Sequence, residues 1–452
     1  MAISSVESTA IDRDVLIAWY RRNRERSRTL FDLLAEDAYD SQPIALRHPI
    51  VFYEGHLPAF SFNTLVKKAL GCLSIDLSLE SLFARGIDPS ESADMNNRST
   101  PTRWPDRQVV REFAAEADRQ VVDVLATADL ERPGHPLLDR AEAVFSILEH
   151  EAMHQETLLY MWHRLPFAQK RRPPGYSPLA DGREPAAEWI DVAPGRVTLG
   201  VDRSAVAFGW DNEFPACAIH VDRFAIERHD VTNGRYLEFV EAGGYDDERW
   251  WEPEAWRWLR AEHLRHPLFW ERHDGAWFWC GMFDLIALPL AWPVYVSHAE
   301  ASAYARWRGA RLPTEAEFQR AAFGTPNGEE RPHPWGDAAP TAADGVFDFT
   351  SWDPQPAGRH PSGGSAWGVE DLVGNGWEWT STTFAPFPGF RAMASYPAYS
   401  ADFFDDEHFV VKGGSPATAR ELLRPTFRNW FRARYPYVYA TFRCAKDARS
   451  DR

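Results

Sequence analysis

Two histidines, His150 and His154, stand four residues apart in the segment EHEAMHQETLLYMWHRLP. On a helix that spacing puts both rings on one face. Ile147, Leu158 and Met161 continue the same face, so the imidazoles interrupt an apolar stripe that should turn inward. Burying two polar rings side by side is costly unless a partner satisfies them. A divalent metal is the commonest shared partner for neutral imidazoles at this separation. The plain alternative is that both rings only hydrogen-bond within a core. Glu156 lies about 200° round the helix from His154, at ~100° per residue, and falls outside the ligand set. A third ligand must come from another helix. His56, in FYEGHLPAF, has apolar neighbours within a helical stretch, whereas His48 precedes Pro49 and reads as solvated. Three histidines with no charged ligand suit zinc or Fe(II) and leave coordination positions open for substrates. Spacing does not choose between those metals.

The elements that must carry these residues are helical from Ile11 to about Arg164. Asp12 reads as the N-cap of a first helix through LIAWYRRNRERSRTLFDLLA. Pro49 opens a second, PIVFYEGHLPAFSFNTLVKKAL, which Pro58 should kink or interrupt. RQVVREFAAEADRQVVDVLAT is the third. The fourth runs through the histidine pair, opened by Pro136 in its first turn and ended before Pro166. Four such helices predict a bundle over residues 1–168. Residues 169–186, rich in proline, glycine and charge, read as a linker. Residues 187–452 change texture to short strands, frequent turns and few helices, two of them announced by capping boxes at Ser297/Glu300 and Thr314/Glu317. That pattern predicts an irregular α+β domain with a long turn-rich loop from Gly324 to Gly345.

Composition narrows the function. The 452 residues are 44% hydrophobic and carry a net charge of -17, which argues against nucleic acid and anionic membranes and for a small-molecule substrate. The longest apolar run, Leu285 to Val296, contains two prolines and is too short to span a bilayer. Four widely spaced cysteines exclude a CxxC site and suit a reducing cytoplasm, and the first residues show no basic start followed by an apolar run, so no secretory signal is expected. Twenty tryptophans predict a large aromatic core, some of it available to a flat or cationic ligand.

EHEAMHQETLLYMWHRLP with an upstream histidine resembles the HxxxHxE segment of the ergothioneine-type sulfoxide synthases. VAPGRVTLG, RHDVTNGRYLEFVEAGGY, SHAEASAYARWRGARLPTEAEFQRAAF, DLVGNGWEWTSTTFAPFPGF, VVKGGSPAT and RPTFRNWFRARYPYVYATFRCA extend the resemblance, in order, over nearly the whole chain. It implies a DinB-like four-helix bundle followed by a formylglycine-generating-enzyme-like, C-type-lectin-like domain. It also implies a non-haem iron enzyme that uses O2 to join sulfur or selenium to the imidazole C2 of hercynine, the trimethylated histidine. The iron ligands then fall on His56, His150 and His154. Arg428, Asn429 and Trp430 match the segment that holds hercynine, whose quaternary ammonium can only be met by aromatic faces. Relatives often have a tyrosine in the segment that reads PFPGF here, where a hydroxyl serves as acid. This chain has Phe387, which leaves Tyr396, Tyr399 or no residue as the source of that hydroxyl. In the γ-glutamylcysteine-using type an Asp follows the Asn-Trp pair. Phe431 stands there instead and cannot accept a charge-assisted hydrogen bond from a donor's ammonium group. The texture of RHPIVFYEGHLPAF and HEAMHQETLLYMWHRLP is most similar to selenoneine synthases, which implies a selenosugar donor, with cysteine or γ-glutamylcysteine as the alternative.

Three rival readings have distinct requirements. A zinc-dependent thiol transferase of the DinB type needs no O2. Formylglycine-generating activity needs a late cysteine pair, and Cys444 stands alone after Cys280. A lectin-like binding module would not need three histidines. Calcium in the second domain is possible by family analogy, although no clean oxygen-ligand loop can be read.

Overall fold

The computed structural model describes residues 12–86 and 104–448; residues 1–11, on which the reading of the N-terminus rests, lie outside the described residues. The chain forms two compact units. One comprises Met1–Gly175 with the short segment Ala394–Tyr396, the other Tyr176–Met393 with Pro397–Arg452.

The first unit is helical. α1 (Arg13–Asp32) is capped by the Asp12 side chain, which accepts from the Val15 N–H. α2 (Ile50–Ser61) contains Pro58, yet the proline does not break it. Pro58 has no N–H to give the Glu54 carbonyl. Beyond Ser61 the chain continues as a wider π-helix, Phe62–Ala69, closed by the bond from Leu70 N–H to the Leu65 carbonyl. A short α3 (Leu77–Leu82) and α4 (Arg107–Thr127) follow. α5 is Glu142–His163, shorter at its start than Pro136 predicts. Arg140 and Ala141 adopt positive φ (54° and 55°), and that left-handed break is what sets the first turn at Glu142.

α5 also departs from the simple stripe pattern: it is buried on nearly every face, including Glu149, Glu151, Gln155, Glu156 and Thr157. The polar side is satisfied by α1. Glu151 accepts from Arg24 (2.8 Å) and Ser27 (2.6 Å), and Gln155 donates to the Asn23 carbonyl (2.8 Å) and the Ser27 hydroxyl (3.0 Å). Asn23 in turn donates to the Leu148 carbonyl (2.8 Å). Arg24 also reaches Asp118 of α4 (2.7 Å), which takes the Tyr20 hydroxyl (2.8 Å). These directional bonds fix the rotation of α5 about its axis, and with it the direction of the histidine face. An apolar layer of Leu16, Phe62, Leu65, Val121, Leu125, Val144 and Ile147 packs the rest. The expected linker begins inside this unit: Ala35 N–H donates to the Gln169 carbonyl (2.9 Å) and Arg171 N–H to that of Leu33 (2.6 Å).

The second unit has several small sheets. β1 (Trp189–Val192), β4 (Phe224–Glu227) and β12 (Ala445–Asp447) form one, with β4 central; β2 (Gly195–Leu199) and β3 (Cys217–Val221) form a hairpin. β5 (Trp270–His273), β6 (Ala276–Cys280) and β7 (Leu285–Ala287) make a tryptophan-rich meander. The sheet that concerns the aromatic residues runs β10 (Asn429–Arg432), β9 (His408–Lys412), β8 (Trp377–Thr383), β11 (Ala440–Thr441). β11 lies parallel to β8 and the other pairs are antiparallel. Between the strands come α6 (Asn233–Glu241), α7 (Pro253–Ala261), α8 (His298–Trp307) and α9 (Glu315–Phe323). Both capping boxes form. Ser297 accepts from Glu300 N–H while Glu300 accepts from Ser297 N–H (3.3 and 2.8 Å), and Thr314 and Glu317 do the same (3.1 and 2.7 Å). Residues 324–345 contain no helix or strand, as their turn-rich sequence suggests.

The Glu151 network generates a stability prediction. Glu151→Ala leaves the buried Arg24 guanidinium short of one carboxylate, a change that typically costs about 3–5 kcal/mol. Urea unfolding should show that loss, and a midpoint within error of the parent would mean α5 is not held by this network.

Candidate metal centre and aromatic site

α2 supplies His56 and α5 supplies His150 and His154, and one ring nitrogen from each lies within 4.8 Å of the others. All three are buried. Gly55 permits the arrangement at His56: a Cβ there would sit 2.4 Å from the Phe83 ring, so only glycine lets Phe83 pack against α2. The Phe83 carbonyl then accepts from His56 Nδ1 (2.8 Å). A carbonyl cannot donate, so the proton is on Nδ1 and the Nε2 lone pair is free to bind.

His150 Nε2 and His154 Nε2 are 3.1 Å apart. That is close to the gap between adjacent imidazoles on one ion with bonds of about 2.1 Å. A single shared proton would give the pair one hydrogen bond and would still leave His56 Nε2 unpaired. His56 Nε2, His150 Nδ1 and His154 Nδ1 are buried without a hydrogen-bond partner. Burial holds all three rings neutral. His56 is pushed down to about 4, and His150 and His154 fall well below the ordinary histidine value, first by desolvation and then by neighbouring positive rings or Arg47. Neutral, buried imidazoles that each bring one ring nitrogen within 4.8 Å of the others are what a divalent ion needs.

Aromatic rings of α2 set the imidazole planes. Phe60 stacks on His150 (centroids 3.5 Å, planes 8° apart) and Phe52 on His56 (4.9 Å, 23°), while Tyr53 lies 6.0 Å from His154. His48, the other upstream histidine, stacks on the far side of this row against Phe52 and bonds the Gly86 carbonyl, outside the triad. Glu156 is also outside it.

The structure separates the two tyrosines. Tyr396 lies in the first unit, with its ring 5.4 Å from Phe60 and 6.1 Å from His150. The preceding Ser395 fastens to the first turns of α5: its N–H donates to Glu142 (3.1 Å) and its hydroxyl pairs with that of Ser146 (2.9 Å). Glu142, Ser146, His150 and His154 follow one another at four-residue steps, so the segment runs along the face that bears the histidines. Tyr399 belongs to the second unit, where it stacks on Trp210 (4.0 Å, 25°) and meets Trp430 edge-on (5.3 Å).

Trp430 is half-buried in an aromatic group. Phe384 covers it in parallel (4.1 Å, 7°) and Phe403 lies 5.6 Å away. Arg428 and Phe387 act behind it rather than on a ligand. Arg428 is buried, bidentate on Glu315 (2.8 and 3.1 Å), and donates to the Asn212 and Ala385 carbonyls. Its guanidinium lies 4.3 Å from the Phe387 ring and 5.0 Å from Phe384. The buried Lys412 ammonium, whose pKa burial lowers to about 8, donates to the Pro425 and Phe427 carbonyls and pins the approach to β10. Asn429 Oδ1 accepts from the Trp430 N–H (2.9 Å), and the NH2 is the donor group of the same side chain. Phe431 departs from the expectation of one shared pocket. Adjacent residues of a strand face opposite ways, and Phe431 packs near Tyr435 (6.0 Å) and Trp379 (6.4 Å) rather than beside Trp430.

The sequence reading missed Trp210–Glu213, four buried residues of which three are polar. Glu213 holds Arg424 (2.6 Å) and Thr426 (2.5 Å), and Asp211 accepts from Met393 N–H (3.3 Å) and from the Ser400 hydroxyl. Three consecutive polar residues framed by aromatics, WDNEF, was the available signal.

Alanine at His56, His150 or His154 should leave purified protein with well under one equivalent of bound metal by elemental analysis. His48→Ala should retain the full complement. Full metal content in His56→Ala would remove α2 from the ligand set.

Residues 20–158 match the DinB superfamily, and residues 177–448 match the sulfatase-modifying factor enzyme 1-like domain. The chain is similar to a hercynine oxygenase of Mycolicibacterium smegmatis, with 36% identity, covering 75% of this chain and 77% of that protein. A hercynine oxygenase of Mycolicibacterium thermoresistibile is 39% identical over 67% of this chain and 68% of its own length. Ergothioneine biosynthesis protein 1 of Schizosaccharomyces pombe is 27% identical, covering 92% of this chain and 54% of that protein. With both halves matched and in this order, the chain belongs to the ergothioneine-type sulfoxide synthase family of oxidoreductases.

Proposed function

We propose that the protein is an Fe(II)- and O2-dependent enzyme that forms a carbon–chalcogen bond at the imidazole C2 of hercynine. The observation that carries this reading is the convergence of three buried, neutral histidines, with no carboxylate among them, in a chain of this family. His56, His150 and His154 would hold the iron, which when bound supplies the O2-dependent redox chemistry the reaction requires. The rest falls to the protein. Trp430 and its aromatic neighbours meet the trimethylammonium group, which has no N–H to donate. The Asn429 NH2 donates to the substrate's carboxylate or ring nitrogen. Tyr396, beside His150, holds at its phenolic oxygen the proton that the reduction of O2 consumes. Tyr399 is given no such role, because it is stacked into the Trp430 group.

For the donor we propose a selenosugar. Phe431, where an acid would greet an amine-bearing thiol, supports it: a sugar carries no amine and loses nothing from the missing acid. The thiol reading is favoured by the names of the similar proteins, which belong to hercynine oxidation and ergothioneine biosynthesis. Competition decides between them. Hercynine, air and an equal mixture of selenosugar, cysteine and γ-glutamylcysteine should yield the selenium product first by mass spectrometry. Selective turnover of a thiol would assign the protein to sulfur. Loss of all turnover without O2 separates either outcome from a zinc-dependent thiol transferase.

Trp430→Ala should weaken hercynine binding by about 1–2 kcal/mol, as expected for a desolvated cation–π contact. Unmethylated histidine should lose much less. Equal losses, measured by calorimetry, would reduce Trp430 to packing.

A further inference from the structure

Arg428, immediately before β10, is a buried cation packed against the rings that back Trp430. Its guanidinium lies 4.3 Å from the centre of the Phe387 ring and 5.0 Å from that of Phe384, and Phe384 in turn covers the Trp430 indole in parallel at 4.1 Å. A cation held against such a pile draws the π electrons toward itself and repels a second cation that approaches the same rings. The indole assigned to a trimethylammonium group is thus backed by a charge of the wrong sign. Glu315 cancels it. Its carboxylate accepts two bonds from the guanidinium (2.8 and 3.1 Å), and both side chains are only 2% exposed.

The placement of Glu315 is local in origin. Thr314 caps α9, and its capping box with Glu317 sets the first turn. The Glu315 N–H donates to Thr382 Oγ1 (2.9 Å) near the end of β8, two residues before Phe384. The other charges nearby do not replace it. Glu213 is engaged by Arg424 (2.6 Å), and the buried Lys412 adds a further positive charge that is met by carbonyls.

We propose that Glu315 is a specificity-determining residue for the cationic substrate: by neutralising Arg428 it lets the Phe384–Trp430 pile bind a quaternary ammonium. The inference rests on the placement of the trimethylammonium group at Trp430 above. Stability alone does not call for the pair, since apolar side chains of similar volume often replace a buried ion pair without loss. Arg428 also donates to the Asn212 and Ala385 carbonyls, so the guanidinium is a rigid backing for both rings. The carboxylate removes the field that this fixed cation would otherwise exert. At an effective dielectric of about 20, a unit charge about 12 Å away, three ring spacings, changes the binding of a cation roughly tenfold.

Anaerobic calorimetry on the purified protein, without a donor, reads binding with no turnover. The two ligands are hercynine and 3-(imidazol-4-yl)propionate, which keeps the ring and the carboxylate and lacks the ammonium. Glu315→Gln keeps the shape and removes the charge. It should weaken hercynine about tenfold and the propionate less than about twofold. Glu315→Asp keeps the charge and should hold the parent's preference between the two ligands. Removing the cation as well, by combining Glu315→Gln with Arg428→Gln, should restore most of the hercynine loss. A packing role predicts the reverse, because the double variant disturbs the ring pile more than the single one. Equal losses for both ligands in Glu315→Gln, or a double variant that prefers hercynine still less, overturn the proposal. Where Glu315→Gln does not fold, the double variant, which leaves neither member of the pair charged, carries the test: it should keep the parent's preference for hercynine, and a tenfold fall in that preference overturns the proposal. Failure of the underlying reading looks different. A parent that does not bind hercynine, or a Trp430→Ala variant that loses both ligands equally, removes the ammonium from Trp430 and overturns both claims. Selective loss of hercynine in Trp430→Ala, with none in Glu315→Gln, removes only the role of Glu315.

Discussion

Three imidazoles sharing one small dry space cannot all carry protons. At an effective dielectric of about 20, two unit charges about 4 Å apart repel by about 4 kcal/mol, and burial adds a penalty for each charge. His56, His150 and His154 are therefore held neutral, and their lone pairs must find something other than a proton. The bundle is arranged around that requirement. α1 grips the adjacent side of α5 through Glu151 and Gln155, each the residue directly after a histidine and about 100° round the helix from it, so the grip on one side aims the other. α2 contributes the third imidazole and the rings that stack on it and on His150. Pro58 lies inside α2 without breaking it, and the π-helical turns beyond Ser61 carry the chain into the apolar layer.

Much of this was legible in the sequence, for physical reasons that can be named. The i, i+4 histidines, the Asp12 cap, the extent of the third helix and both capping boxes are local signals, set by residues a few positions apart. The match of His56 over His48 was legible from apolar neighbours alone. What was not legible depended on distant partners or on backbone states that no side chain announces. The start of α5 slipped from Pro136 to Glu142 because Arg140 and Ala141, neither a usual left-handed residue, take positive φ. The burial of α5 on all sides was hidden because its polar residues are matched by α1, more than a hundred positions earlier. Arg428 reads like a ligand-binding arginine until Glu315, Phe384 and Phe387 are seen to enclose it.

That enclosure has a consequence for recognition. Phe387, Arg428, Phe384 and Trp430 form a continuous stack in which the guanidinium lies against two rings and the second of these covers the indole. One face of Trp430 is thereby spent on protein. The rest of its aromatic surroundings is Tyr399 and Phe403, whose rings stand at steep angles to the indole. A cation is attracted to ring faces and repelled by ring edges, and Phe384 already covers one face of the indole.

Strand alternation then divides the labour within β10. Phe431 faces away from Trp430, toward Tyr435 and Trp379. A substituent at Phe431 therefore acts on a different surface from the one that Trp430 presents. Trp430 meets Phe384, Tyr399 and Phe403, whereas Phe431 packs near Tyr435 and Trp379, so the two rings of β10 belong to separate aromatic groups.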